Sequence, residues 1–101
     1  MILWICTSDR KKIEVGLKSR DKIVNLKSSE NEFGSQVLLN LITEILKENN
    51  LEFKDITGIE IERGPGSFTG LKVGASLANA LGYSLGIPVN GKEMEVELNY
   101  V

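Results

Sequence analysis

The chain has 101 residues, enough for one domain that buries roughly two-thirds of its unfolded surface. Its 42% hydrophobic and 26% charged residues are ordinary for a globular protein, and a formal charge of −2 argues against a strongly basic nucleic-acid-binding domain. There is no histidine, which removes imidazole acid–base chemistry and the usual zinc sites, and the single Cys6 cannot form an internal disulfide, in keeping with an intracellular, cytoplasmic setting.

The first element is Ile2–Cys6, a continuous apolar run. It has no basic residues ahead of it and is too short for a signal peptide or a membrane span. It predicts a central strand buried on both faces. Residues 12–18 alternate apolar and polar side chains, and 22–26 do so more loosely. The polar connections at 8–11 and 19–21 are short enough for hairpins, so an antiparallel three-strand meander is expected. Residues 27–34 are polar and patternless and predict a loop. Ser35 precedes a helical run to about residue 49. Leu38, Leu41, Ile42 and Ile45 form its core stripe, flanked by Val37 and Leu39. That apolar face is wider than one sheet requires. It fits either a deeply packed helix or a second face that meets a partner.

After a connection over 51–57, a strand at 58–62 enters the glycine-rich loop Arg63-Gly64-Pro65-Gly66-Ser67-Phe68-Thr69-Gly70. Three glycines and a proline in such a stretch fit neither regular helix nor strand. Backbone amides near a helix N-terminus can hold an anion. The plainer reading is a sharp turn with Ser67 or Thr69 capping the next helix. The loop is neither a Walker A motif nor a dinucleotide fingerprint. In the helix over 70–85, Gly70, Gly74, Ala78 and Gly82 recur at every fourth position. Each glycine costs about 1 kcal/mol against alanine in a helix, so the smooth ridge points to close approach of a helix or a sheet: either packing inside the domain or, the reading favoured here, a helix–helix interface. Residues 86–90 give a helix stop and a short strand. Residues 93–101 then alternate Met94, Val96, Leu98 and Tyr100 with Glu93, Glu95, Glu97 and Asn99, an extra C-terminal strand whose acidic outer face protects a sheet edge.

The order β-β-β-α-β-α-β, over one lobe of residues 1–101, predicts an α/β fold with a mixed five-stranded sheet and two main helices, plus the extra strand. This is the ribonuclease-H-like arrangement, a half-domain of the actin-like ATPase class.

Several stretches carry a family likeness. They are Ile2 through Ser8, the helix start Ser35-Gln36-Val37-Leu38-Leu39, Lys54-Asp55-Ile56, Arg63 through Gly74, and Leu85-Gly86-Ile87-Pro88-Val89. On these the chain resembles the bacterial TsaB (YeaZ) family over about residues 1–91, with 63–74 the most specific segment. The resemblance implies a non-catalytic scaffold in the synthesis of threonylcarbamoyladenosine on tRNA. Its partners would be a TsaD-type catalytic subunit and a TsaE-type ATPase, with a homodimer in isolation, tRNA met indirectly and no membrane. In that family the two helices of this lobe pack into a helical bundle. Carried over, the contact set is Val37, Leu38, Leu41, Ile45, Leu71, Gly74, Ala75, Ala78 and Gly82.

Three departures bear on function. Cys6 stands where the family has aspartate, Gly34 where it has histidine, and the chain stops near the end of the first of two lobes. Nucleotides in the superfamily sit between lobes, so no cofactor is expected on this chain alone, with ATP only in the complex and no metal site. The competing reading is a small nucleotide- or anion-binding protein using residues 63–70, with Ser67, Thr69 and Lys72 as ligands and Thr7 and Ser8 at the end of the first strand. Basic clusters at Arg10-Lys11-Lys12 and Lys18-Ser19-Arg20 offer phosphate contacts, without aromatic residues to stack bases. A metalloprotease is rejected for want of histidine.

Overall fold

Leu3 is the register mark of the sheet: it lies opposite Leu17 on one neighbouring strand and Ile59 on the other. The computed structural model describes residues 1–7, 12–30, 34–62 and 68–90. Strand β1 (Ile2–Cys6) runs antiparallel to β2 (Lys12–Ser19) and parallel to β4 (Gly58–Ile61), and β3 (Lys22–Glu30) closes a hairpin on β2. The order across the sheet is β3-β2-β1-β4. Side chains alternate between faces along a strand. This register therefore puts Leu3, Ile5, Val15, Leu17, Ile59 and Ile61 on one face, all buried.

Both helices cover that face. Helix α1 (Ser35–Glu48) packs on β2 and β3, and α2 (Phe68–Leu85) packs on β4 and β1 and touches α1. Leu38, Ile42 and Ile45 of α1 and Leu71 and Ala78 of α2 are essentially inaccessible to water. Burying each of the larger side chains contributes about 1.5–3 kcal/mol. The helices stop in the same way. At the end of α2, Gly86 has φ 68°, its N–H donates to Tyr83 O, and the N–H of Ile87 donates to Gly82 O at 3.0 Å. At the end of α1, Asn50 has φ 56°, its N–H donates to Lys47 O, and the N–H of Leu51 donates to Leu46 O at 2.9 Å. Both are Schellman closures, and asparagine is among the few residues that can replace glycine in the left-handed position.

The structure corrects several expectations. The predicted loop over 27–34 is partly strand: β3 continues to Glu30, which pairs with Lys12. An edge strand can be polar when its partner is long and its own side chains find ions, as Lys27 does below. Four strands are present among the described residues, and the fifth is reduced to one parallel bridge between Val89 and Ile59. Helix α2 begins at Phe68, two residues before the predicted start. Thr69 is thus inside the first turn, past the capping position, and Ser67 lies outside the described residues. Strand β1 is fully buried on the helix side only: Ile2, Trp4 and Cys6, on the other face, are half-buried. The expected strand over 93–101 lies outside the described residues.

Candidate functional site

The small-residue ridge of α2 faces inward. A methyl group added at Gly74 would collide with Thr7 Oγ1 and come within 3.0 Å of Ile61 Cδ1. One added at Gly82 would lie 2.6 Å from Val89 Cγ2 and 3.1 Å from Ile87 O. The ridge therefore seats α2 directly on the sheet. Of the predicted contact residues, Leu38, Leu41, Ile45, Leu71, Ala75 and Ala78 are at most 5% exposed, and Gly74 and Gly82 are buried with them. In the folded lobe they cannot be presented to a partner, because the sheet already occupies their surface. Val37 alone in that set is half-buried.

A different part of the helix pair is available. On α2, Val73, Leu77 and Leu81 repeat at helical spacing and are half-buried; Ser76, Ala80 and Ser84 are exposed, as is Tyr83 at 93%. On α1, one flank is tied to β3. Lys27 Nζ lies 2.9 Å from Glu48 and 3.7 Å from Glu44, and Asn25 donates to Asn49 at 2.6 Å. Hydrogen bonding to Glu48, with the charges of Glu48 and Glu44, raises the Lys27 ammonium above its ordinary 10.5. The other flank of α1, carrying half-buried Leu39 and exposed Thr43, lies on the α2 side. Sequence periodicity marks α1 as broad in its apolar content and α2 by its small-residue ridge, but does not say which flank the sheet takes.

The glycine-rich loop meets the structure only at its end. Arg63, Gly64, Pro65, Gly66 and Ser67 lie outside the described residues, while Phe68, Thr69 and Gly70 form the first turn of α2. Thr7, at the end of β1, is 1% exposed, and its hydroxyl has no hydrogen-bond partner among the described residues. Among those residues no cluster of histidine, cysteine or carboxylate side chains could hold a metal ion. Nor is any helix there long and apolar enough to cross a membrane. Of the basic clusters, Arg10 and Lys11 lie outside the described residues. Lys12 pairs with Glu14 at 3.5 Å and Lys18 with Glu60 at 2.6 Å, which leaves the lysines facing carboxylates.

Asn90 is the residue the sequence did not mark. It has φ 50°, and its N–H donates to Ile59 O at 2.7 Å. Its side-chain oxygen accepts from the Ile61 N–H at 2.7 Å, and its amide nitrogen donates to Ile61 O at 3.1 Å. The N–H of Ile59 donates to Pro88 O. The outward backbone groups of β4 at Ile59 and Ile61 are all satisfied, half of them by one side chain. The signal was faint: asparagine after a Pro-Val pair, able to take the left-handed conformation.

A mixed sheet with a central parallel pair, an outer meander and two helices on one face is a ribonuclease-H-like, actin-like α/β lobe. A family model described as TsaD, tRNA N6-adenosine threonylcarbamoyltransferase, matches residues 32–92. The tRNA threonylcarbamoyladenosine biosynthesis protein TsaB of Buchnera aphidicola subsp. Acyrthosiphon pisum is 40% identical over 52 residues, which is 52% of this chain and 24% of that protein. The tRNA N6-adenosine threonylcarbamoyltransferase of Tropheryma whipplei is 48% identical over 56 residues, 55% of this chain and 14% of that one. The solved structure of YeaZ from Pseudomonas aeruginosa superposes with a TM-score of 0.77 at 25% identity, covering 87% of this chain and 41% of its own. The chain belongs to this TsaD family, as a protein of its TsaB/YeaZ type. It matches less than half the length of each of these three relatives.

Proposed function

We propose that the chain is a non-catalytic assembly subunit for tRNA threonylcarbamoyladenosine modification in the cytoplasm, and that it contacts a TsaD-type catalytic subunit through the outer flanks of α1 and α2. The observation that carries this reading is the half-buried row Val73, Leu77 and Leu81 on one flank of α2, with half-buried Leu39 on the flank of α1 turned toward α2 and Tyr83, 93% exposed, on the outward face of α2. Aromatic and aliphatic side chains held on a rigid helix make good interface anchors, since little side-chain freedom is lost on binding. The family points to the partner: TsaB-named and threonylcarbamoyltransferase-named proteins each match about half of the chain. In this reading the helices pack into a bundle with TsaD, or with a second copy in its absence. A TsaE-type ATPase joins the assembly, ATP binds only there, and tRNA is met indirectly.

Size-exclusion chromatography with light scattering, on the chain alone and mixed with TsaD from the same organism, tests this. A one-to-one complex is expected, and Tyr83→Glu with Ala80→Arg should abolish it while leaving the thermal transition unchanged. A chain that stays monomeric and ignores TsaD would sink the scaffold reading.

A nucleotide- or anion-binding role for residues 63–70 has one supporting observation, the unpartnered buried hydroxyl of Thr7 beside α2. Titration with inorganic phosphate and an ATP analogue, followed through backbone amide shifts at 68–74, separates the two. Saturable shifts without TsaD favour the binding protein.

A further inference from the structure

Of the asparagines in the chain, Asn90 alone is followed by a glycine. Asparagine is a thermolabile residue. Its amide carbon is open to attack by the main-chain nitrogen of the next residue, and a glycine there puts no side chain in the way. The same asparagine holds the margin of β4. Its Oδ1 accepts from the Ile61 N–H at 2.7 Å, its Nδ2 donates to Ile61 O at 3.1 Å, and its own N–H donates to Ile59 O. One amide therefore both closes this edge and carries the labile bond.

We propose that Asn90 is a deamidation site, and that its conversion is a one-way release of the β4 edge. The nitrogen of Gly91 bonds to Asn90 Cγ and gives up its proton. The side-chain nitrogen leaves as ammonia, and a five-membered succinimide ring remains. Water then opens the ring at either carbonyl, giving aspartate or isoaspartate. Water is the only co-reactant, and nothing is oxidised or reduced. An amide offers one donor side and one acceptor side, whereas a carboxylate only accepts. In the aspartate product an oxygen replaces the Nδ2 that bonds Ile61 O, so acceptor faces acceptor. In isoaspartate the main chain itself runs through Cβ and Cγ, and the side-chain clamp is gone. Either product frees main-chain groups of Ile61 for another strand.

The fold sets the rate. For Cγ to meet the following nitrogen, the side chain must turn back on its own backbone, and both bonds to Ile61 break first. Two such hydrogen bonds slow the step by at least about tenfold. Conversion therefore proceeds from molecules in which the β4 margin has opened. Asn50 is the internal control. It too has a left-handed backbone, φ 56°, but Leu51 follows it, and the Leu51 N–H is donated to Leu46 O.

The experiment ages the full chain in warm, mildly alkaline buffer, folded and in urea, and follows it by peptide mass spectrometry. The peptide holding Asn90 should gain one mass unit, as a mixture of aspartate and isoaspartate, while the peptide holding Asn50 stays unchanged. Conversion should be at least about tenfold slower in the folded chain. Gly91→Val should stop it in urea, where no fold protects the amide. The aged chain, separated from its parent by the added charge, should then exchange the Ile61 amide hydrogen faster. Asn90→Asp should reproduce that exchange; where this variant does not fold, the aged chain supplies the product. Equal conversion at Asn50 and Asn90 in urea, or equal rates folded and unfolded, overturns the proposal. So does a deamidated chain whose Ile61 amide keeps its full protection.

Discussion

Gly74→Ala is the substitution that decides which way the α2 ridge faces. In an exposed helix it would stabilise by about 1 kcal/mol, because alanine is the better helix former. Here the added methyl meets Thr7 Oγ1 head-on, with Thr7 Cβ at 3.3 Å and Ile61 Cδ1 at 3.0 Å. Thr7 follows a central strand and is β-branched, so it cannot swing aside as the end of a flexible side chain could. Overpacking a tight core costs about 1–3 kcal/mol. With the propensity gain set against the upper part of that range, the net loss is about 1–2 kcal/mol. Urea denaturation should show it as a midpoint lowered by roughly 1 M, given a slope near 1–2 kcal/mol per M for a small domain. The cycle with Thr7→Ala adds the decisive arm. That change alone removes a hydroxyl with no partner among the described residues, so it should be mild. Combined with Gly74→Ala it should recover most of the loss, a coupling of about 1 kcal/mol or more. A Gly74→Ala variant as stable as the parent, or a cycle with no coupling, would refute the packing argument and return the ridge to the surface.

Ala78→Arg places a charge where exposure is 0%, and should abolish the cooperative transition altogether, read by circular dichroism, rather than act selectively on association. Asn90→Gly keeps the left-handed backbone but deletes both side-chain bonds to Ile61; a loss of about 1–3 kcal/mol is expected in urea, with faster hydrogen exchange at the Ile61 amide. Lys27 has a folded pKa above its ordinary 10.5, so its ion pairs contribute fully below that pH and are lost as pH rises through the folded value. Lys27→Met should therefore flatten the alkaline limb of a stability-against-pH curve while moving the neutral melting temperature little.

How much of this was legible follows from what periodicity encodes. Alternation in residues 12–18 and 58–62 and the stripe Leu38, Leu41, Ile42, Ile45 fixed β2, β4 and the buried side of α1, because a two-residue or a 3.6-residue period determines a face. The end of β3 was hidden. Lys27, Ser28, Ser29 and Glu30 have no apolar period, and their pairing comes from the length of β2 and the carboxylates of α1. The ridge was seen but assigned the wrong neighbour, since glycine and alanine at fourth-residue spacing permit close approach to a sheet or to a helix equally well. The flank Val73, Leu77 and Leu81 became visible as the available one only once the sheet had claimed Leu71, Gly74 and Ala78. Asn90 lay beyond sequence reading because its work is done on groups about thirty residues earlier, at Ile59 and Ile61.

The closure of β4 by Asn90 also makes the two margins of the sheet unequal. Edge-to-edge growth of β-sheet assemblies needs a free ladder on both sides of every molecule. On the β4 side the outward groups of Ile59 and Ile61 are occupied, whereas β3 is the outermost strand with Ile23, Val24 and Leu26 exposed. Two copies can join through β3, but the joined sheet then ends in a stoppered strand at each side. Concentrated solutions of the lobe should accumulate discrete pairs and not fibrils, and loss of the Asn90 amide would turn a terminating contact into a propagating one.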